Sequence, residues 1–201
     1  MPSRIVLATR NPGKVAEIRD LLADLPIVVH ALDAFGCIEL VETAHSFEEN
    51  AISKATQVAR HTGLFALADD SGLEVDYLDG MPGPRSARFA GERATHEQNN
   101  QKLLALMEGV PQQLRQARFR CVVAIAEPGG RYWTVEGTCE GLITTSELGN
   151  RGFGYDPLFF YPPLGKTFAQ LDTRTKNRVS HRGQALRNVR EALLRGLNGT
   201  T

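Results

Sequence analysis

The apolar run from Leu64 to Ala68 passes directly into Asp69-Asp70-Ser71-Gly72, and few folds suit that junction. The run has the length and composition of a buried strand. An apolar strand that delivers charge to its carboxyl end is how α/β proteins place chemistry at the edge of a sheet. The junction is therefore expected to end a strand and begin a turn. Two carboxylates there can hold a divalent cation, and one can act as a base on water. An ordinary Asx-type turn would use the same residue types.

The rest of the chain fits an α/β sheet. Arg4 to Thr9 contains a short strand, with Asn11-Pro12-Gly13 as the following turn. Val15, Ile18, Leu21, Leu22 and Leu25 recur at helical spacing, with Asn11 as cap and Pro12 in the first turn. Ile27 to Ala31 is a second strand, and a loop runs from Gly36 to His45. Phe47, Ala51, Ala55, Val58 and Ala59 mark a helix that Gly63 stops, with Ser46 and Glu49 as a capping box. Leu73 to Val75 is expected to be a separate short strand, and Thr95 to Met107 a helix. Ala117 to Ala126 and Tyr132 to Val135, joined by Pro128-Gly129-Gly130, read as a hairpin that Leu142 to Thr145 extends. Gly149 to Pro163 reads as loop, and a helix carrying Ala185, Val189, Leu193 and Leu197 closes the chain. Strand and helix alternate early and a hairpin comes late, which predicts one α/β domain with a mixed sheet and helices on both faces.

Composition removes several function classes. The 201 residues carry no net charge, which argues against a general affinity for nucleic acid or an anionic membrane. No apolar run approaches a membrane span, and Met1-Pro2-Ser3-Arg4 does not begin a signal peptide. Cys37, Cys121 and Cys139 are widely spaced and without a Cys-x-x-Cys pair. They fit a reducing cytoplasm and exclude a cysteine-built zinc site.

Several stretches besides Asp69-Asp70 can carry chemistry. Thr9-Arg10-Asn11-Pro12-Gly13-Lys14 lies between a strand and a helix. Helix N–H groups, a glycine and a lysine there make an anion site. It is not a Walker A loop, because Ala8 and Val15 stand where that pattern needs Gly and Ser or Thr. Lys14 at a helix start opposes the macrodipole, and a bound polyanion would account for it. Glu39, Glu42, Glu48 and Glu49 are acids of which at most one or two would be metal ligands. Gly152-Phe153-Gly154-Tyr155-Asp156-Pro157 can lay a ring against a nucleobase while Asp156 accepts from it; the same aromatics can plug a core. Lys176 and Ser180-His181-Arg182-Gly183 precede the last helix and point to an anion or carbonyl acceptor.

Taken in order, these motifs resemble the inosine triphosphatase family, the non-canonical purine nucleoside triphosphate pyrophosphatases, in its bacterial XTP/dITP diphosphatase branch. The match runs Thr9-x-Asn11-x-x-Lys14, Phe47-x-Glu49-Asn50-Ala51, Ala68-Asp69-Asp70-Ser71-Gly72, Pro82-Gly83-x-x-Ser86-Ala87-Arg88-Phe89, Gly152 to Pro157, and Ser180-His181-Arg182-Gly183. The resemblance implies an elongated mixed β-sheet flanked by helices, in two lobes with an active-site cleft between them. It implies cleavage of a purine nucleoside triphosphate to monophosphate and pyrophosphate, Mg2+ as cofactor, and a homodimer. By the same resemblance Asp70 is the base and a metal ligand, and Glu42 the second metal ligand. Thr9, Arg10, Asn11, Pro12, Gly13 and Lys14 would hold the triphosphate. Ser71, Phe153, Gly154, Tyr155, Asp156, Lys176, His181 and Arg182 would bind substrate. Arg10 departs from the glycine of many relatives, and Val41 from a second glutamate of some.

The chemistry implied is coherent. Phosphoryl hydrolysis needs charge neutralisation more than covalent catalysis. Arg182, with donors only, would pair with the six-oxygen of inosine or xanthine and reject the amino group of adenine. Rival readings are a pyrophosphatase for modified pyrimidine nucleotides, an aspartyl-phosphate phosphatase and a non-catalytic nucleotide sensor. Adjacent acids in place of Asp-x-Asp disfavour the second.

Overall fold

The computed structural model describes residues 3–36, 38, 40 and 46–197. A seven-stranded sheet carries the fold, in the order β2-β1-β3-β4-β5-β6-β7. Its strands are β1 (Ser3–Leu7), β2 (Ile27–Ala31), β3 (Phe65–Val75), β4 (Gln116–Ala126), β5 (Tyr132–Ile143), β6 (Phe159–Tyr161) and β7 (Lys166–Thr167). The helices are α1 (Pro12–Leu22), α2 (Phe47–Thr62), α3 (His96–Leu106), α4 (Thr173–Val179) and α5 (His181–Leu197). β1 is parallel to β2 and β3, with Ile5 opposite Val29 on one side and Phe65 on the other. β6 is antiparallel to β5 and β7. The link from Ala126 to Tyr132 is too short for a crossover, so the neighbouring β4 and β5 form the expected hairpin. The sheet is mixed, as the alternation of elements predicts.

The chain divides into two compact units. The first takes residues 1–70, 121–137 and 182–201. Here the inner strands β1, β3 and β4 are buried on both faces, which is why they read as continuous apolar runs. Val6, Ala8, Ala66, Ala68, Val122 and Ala124 pack with Phe47, Ala51, Ala55, Val58 and Ala59 of α2. The alternate residues Ile5, Leu7, Leu67, Val123 and Ile125 pack with Ile18 and Leu22 of α1 and Ala185 and Val189 of α5. The period of two along each strand thus assigns one helix to one face and two to the other. The α2 start follows its capping signal, with Ser46 Oγ accepting from Glu49 N–H at 3.2 Å. Its end is Gly63 in the left-handed region.

The second unit takes residues 71–120 and 138–181. Its core joins Leu73, Val75, Leu103, Met107, Phe159 and Phe168 around Phe119. The ring of Phe119 lies 4.6 Å from that of Phe159 and stacks at 13° on the imidazole of His181. Arg115 is buried and its guanidinium meets carbonyls rather than acids, those of Met107, Val110, Ile143 and Thr144. It thereby ties the end of α3 to the end of β5.

Three expectations are corrected. β3 does not end at Asp69-Asp70; it continues unbroken to Val75 and absorbs the expected separate strand at Leu73 to Val75. The carboxylates stay in the strand because buried cations meet them there. The segment read as loop from Gly149 to Pro163 contains β6, whose aromatics fill the second core. The last helix begins at His181, preceded by the short α4. Among the described residues no helix is long and apolar enough to cross a membrane.

Burial pushes the thiols of Cys121 and Cys139 up to about 12. In the unfolded chain they ionise near 8.5, roughly the free-thiol value. Between those limits the folded state holds more protons, so stability falls as pH rises. Each thiol contributes a loss of about 1.4 kcal/mol per pH unit, the linkage limit for one proton. Urea midpoints from pH 8 to 10 are expected to fall more steeply for the wild type than for a Cys121→Ala, Cys139→Ala double variant. Equal slopes would contradict the buried, protonated thiols.

Candidate functional site

In the first unit a buried charge cluster gathers around the middle of β3. Asp69 is fully buried and Asp70 nearly so. Asp70 is gripped from one face of α2: Lys54 Nζ donates to Oδ1 at 2.8 Å and Asn50 Nδ2 donates to Oδ2 at 3.1 Å. Residues four apart on a helix face the same way, so the two donors arrive together. Lys54 also donates to the Asp69 carbonyl at 2.9 Å, tying helix to strand beside Asp70. Asp69 Oδ2 receives Lys14 Nζ at 3.1 Å and Arg182 Nε at 3.1 Å. Arg182 reaches on to Glu17 of α1 through Nη1.

The electrostatics follow from this geometry. Burial works to raise the Asp69 carboxyl, but the charges of Lys14, Arg182 and Lys54 outweigh it and hold the group well below the usual carboxylate range. Burial likewise opposes the charge of Arg182, and Asp69 and Glu17 hold it above its ordinary value. Among the described residues Lys14, Lys54 and Arg182 face Glu17, Asp69 and Asp70, three charges of each sign.

The Thr9–Lys14 turn is built as the sequence predicts, though its donors are engaged. Asn11 Oδ1 accepts from Gly13 N–H at 2.9 Å and Lys14 N–H at 3.2 Å. Val15 N–H donates to the Asn11 carbonyl, and Pro12 has no N–H. Thr9 Oγ1 accepts from Asn11 N–H. The expectation of donors standing open to an anion at this helix start is therefore corrected: the side-chain cap takes them. Lys14, whose position at a helix start points to a polyanion, also lies 3.1 Å from Asp69 Oδ2. Arg10 donates to the carbonyl of Ile38 and lies 3.6 Å from Asp33.

In the second unit the Gly152–Asp156 loop closes on its own acid. Asp156 Oδ2 accepts from Phe153 N–H at 2.9 Å and from Lys176 Nζ at 2.6 Å, both Asp156 and Lys176 being buried. Lys176 Nζ also sits 4.7 Å from the centre of the Phe153 ring, a cation over an aromatic face. Gly152 makes this closure possible, because with φ at +75° a Cβ there would fall 2.0 Å from Asp156 Oδ2. Tyr155 is buried and its hydroxyl donates to the Ser86 carbonyl at 2.9 Å, so its ring belongs to the core. Ser86 Oγ in turn accepts from Leu73 N–H.

The structure brings Asp70, Lys14 and Arg182 into the first cluster and Phe153, Asp156 and Lys176 into the second. Arg182, expected to face a base, has Nε and Nη1 engaged with Asp69 and Glu17. His181 is stacked on Phe119 in the second core. Ser71 follows Asp70 in β3. Glu42 and Glu39 lie outside the described residues. Among the described residues no group of three His, Cys, Asp or Glu side chains gathers for a metal. Sequence reasoning missed Lys54 and Glu17. Lys54 carried a signal: it falls on the apolar stripe of Phe47, Ala51 and Val58, where a lysine must find a buried partner.

A model of the Ham1 family matches residues 5–192. The chain is 54% identical over 193 residues to the dITP/XTP pyrophosphatase of Desulforamulus reducens, covering 96% of each protein. It is 50% identical over 192 residues to that of Geobacter sulfurreducens, covering 95% of this chain and 96% of the relative. Among solved structures it resembles a HAM1 protein from Coxiella burnetii, with TM-score 0.88, 42% identity, and coverage of 96% of this chain and 98% of that one. It also resembles the dITP/XTP pyrophosphatase of Mycobacterium abscessus, with TM-score 0.75, 40% identity, and coverage of 92% and 97%.

Proposed function

From the premise that this chain belongs to the Ham1 family, we propose that it hydrolyses non-canonical purine nucleoside triphosphates, ITP, dITP and XTP, to the monophosphate and pyrophosphate. The observation that carries this beyond family membership is Asp70, a carboxylate with each oxygen held by a donor from one helix. An ionised carboxylate has about four acceptor sites, so a group of this type can take a proton from water and also serve as a cation ligand. Asp70 and Glu42 would hold Mg2+, which prefers few carboxylates and completes its shell with phosphate and water. Bound there, Mg2+ supplies positive charge against a triphosphate.

The chain's own groups do the rest. Asp70 orients and deprotonates the attacking water. Lys14 and Lys54 are the cations for the polyphosphate, and the Asn11 cap releases Gly13 and Lys14 N–H groups when phosphate oxygens replace Asn11 Oδ1. Phe153 provides a face for the base. Arg182 and Lys176 have donors only, so either can pair with a six-oxygen and neither with an amino group. A buried donor left without an acceptor costs about 1–3 kcal/mol, enough to disfavour ATP tenfold to a hundredfold. The enzyme works as a homodimer in the cytoplasm, keeping deaminated purines out of the nucleotide pool.

Incubation with ITP, XTP or ATP and Mg2+, followed by product separation, tests the proposal. IMP or XMP with pyrophosphate is expected, and ATP should turn over more slowly. Orthophosphate as the product, or faster turnover of ATP, would overturn it.

A further inference from the structure

The Phe153 loop is held by more than its own acid, and one of its ties comes from a residue outside every motif named above. His96 is the first residue of α3 and is exposed. Its Nδ1 accepts from Gly154 N–H at 3.3 Å, and its ring lies 6.4 Å from that of Phe153 at an angle of 37°. We infer that His96 is a positioning residue for base recognition, acting through the loop rather than on the phosphates.

The geometry supports this from both ends. Phe153 sits between two peptide units whose N–H groups are both held. Its own N–H goes to Asp156 Oδ2, and the next, on Gly154, goes to His96. Gly154 has φ at +62°, so the chain turns there, and its N–H direction fixes the peptide plane that leads out of Phe153. Fixing both planes aims the ring that Lys176 caps. The support behind His96 is firm. Thr95 and Gln98 form a capping box at the start of α3. Asn99 donates to the Ala87 carbonyl and accepts from Ala90 N–H. Arg115 holds the Met107 carbonyl at the far end. Because Nδ1 accepts, the proton of the neutral ring is on Nε2.

The inference rests on the reading of the Phe153 loop as the base site, so Phe153→Ala is measured beside His96→Ala. The readouts are kcat and KM for ITP and the competitive Ki of inorganic tripolyphosphate, which has neither base nor sugar. For His96→Ala a three- to tenfold rise in KM for ITP is expected, the change one hydrogen bond gives. Its kcat and its Ki for tripolyphosphate should stay within twofold. His96→Asn should restore KM, since the asparagine oxygen can take the place of Nδ1. An unchanged KM for His96→Ala beside a raised KM for Phe153→Ala overturns the role of His96 and leaves the loop reading standing. An unchanged KM in both variants overturns both. Tripolyphosphate weakened as much as ITP, or no recovery in His96→Asn, overturns the inference as well, since either marks a general disturbance of the fold.

Discussion

Asp70→Asn is expected to lower ITP turnover by roughly 10²–10⁴-fold, the contribution of a positioned general base, while ITP still binds. The amide has nearly the shape of the carboxylate but cannot take a proton from water. One side-chain oxygen remains to accept from Lys54 or Asn50, whereas the new NH2 meets a donor where Asp70 offered an acceptor. Some loss of stability is therefore expected, and a thermal melt must show the variant folded at assay temperature. Pyrophosphate release in single turnover measures the chemical step, and calorimetry with ITP measures binding. A folded variant with more than about a tenth of wild-type turnover would remove Asp70 from the role of base, given the size of that contribution.

Arg182→Met should give the largest loss of stability. The guanidinium is almost wholly buried between Asp69 and Glu17. Removing it leaves two buried carboxylates short of their partner. Breaking a buried pair in this way costs about 3–5 kcal/mol. For a chain of this size that lowers the melting midpoint by roughly 6–20 °C. Arg190→Met is the control, because Arg190 meets Asp24 at 2.6 Å on the surface, where solvent screens the pair. That variant should melt with the wild type. A fall for Arg182→Met no larger than for Arg190→Met would show that the buried cluster does not hold Asp69 as the geometry indicates.

The first unit was largely legible in the sequence because burial of its inner strands β1, β3 and β4 is symmetrical. Strands covered on both faces leave unbroken apolar runs, and Asn11, Ser46 and Gly63 mark helix ends by local chemistry alone. The strand-or-turn decision at Asp69-Asp70 was not legible. Two carboxylates in a strand interior are tolerable only if cations reach them, and those cations come from Lys14, Lys54 and Arg182, far apart in the chain. Lys54 on an apolar helical stripe was the one local sign of this. The donors of the α1 start show a second limit. The sequence offers Asn11 both as a cap and as part of an anion site, yet a cap and an anion compete for the same N–H groups. In the second unit, β6 went unread because its aromatics sit among glycines and prolines that signal loop. The contacts of Arg182 with Asp69 and Glu17 were not legible for a similar reason, since these partners lie far from it in the chain.

The unbroken course of β3 bears on how such a protein can change over evolution. Asp69 and Asp70 lie inside an interior strand, between β1 and β4, and not on a surface turn. A turn can gain or lose residues and leave its flanks in place. An interior strand cannot, because one inserted residue reverses the facing of every side chain after it. Asp70, the acid proposed as the base, is thus locked to the ladder of the sheet, whereas Phe153 and Gly154 sit on a loop, where a change of length inverts no strand. With the proposed roles, base preference has more room to vary in this architecture than the position of the reacting acid.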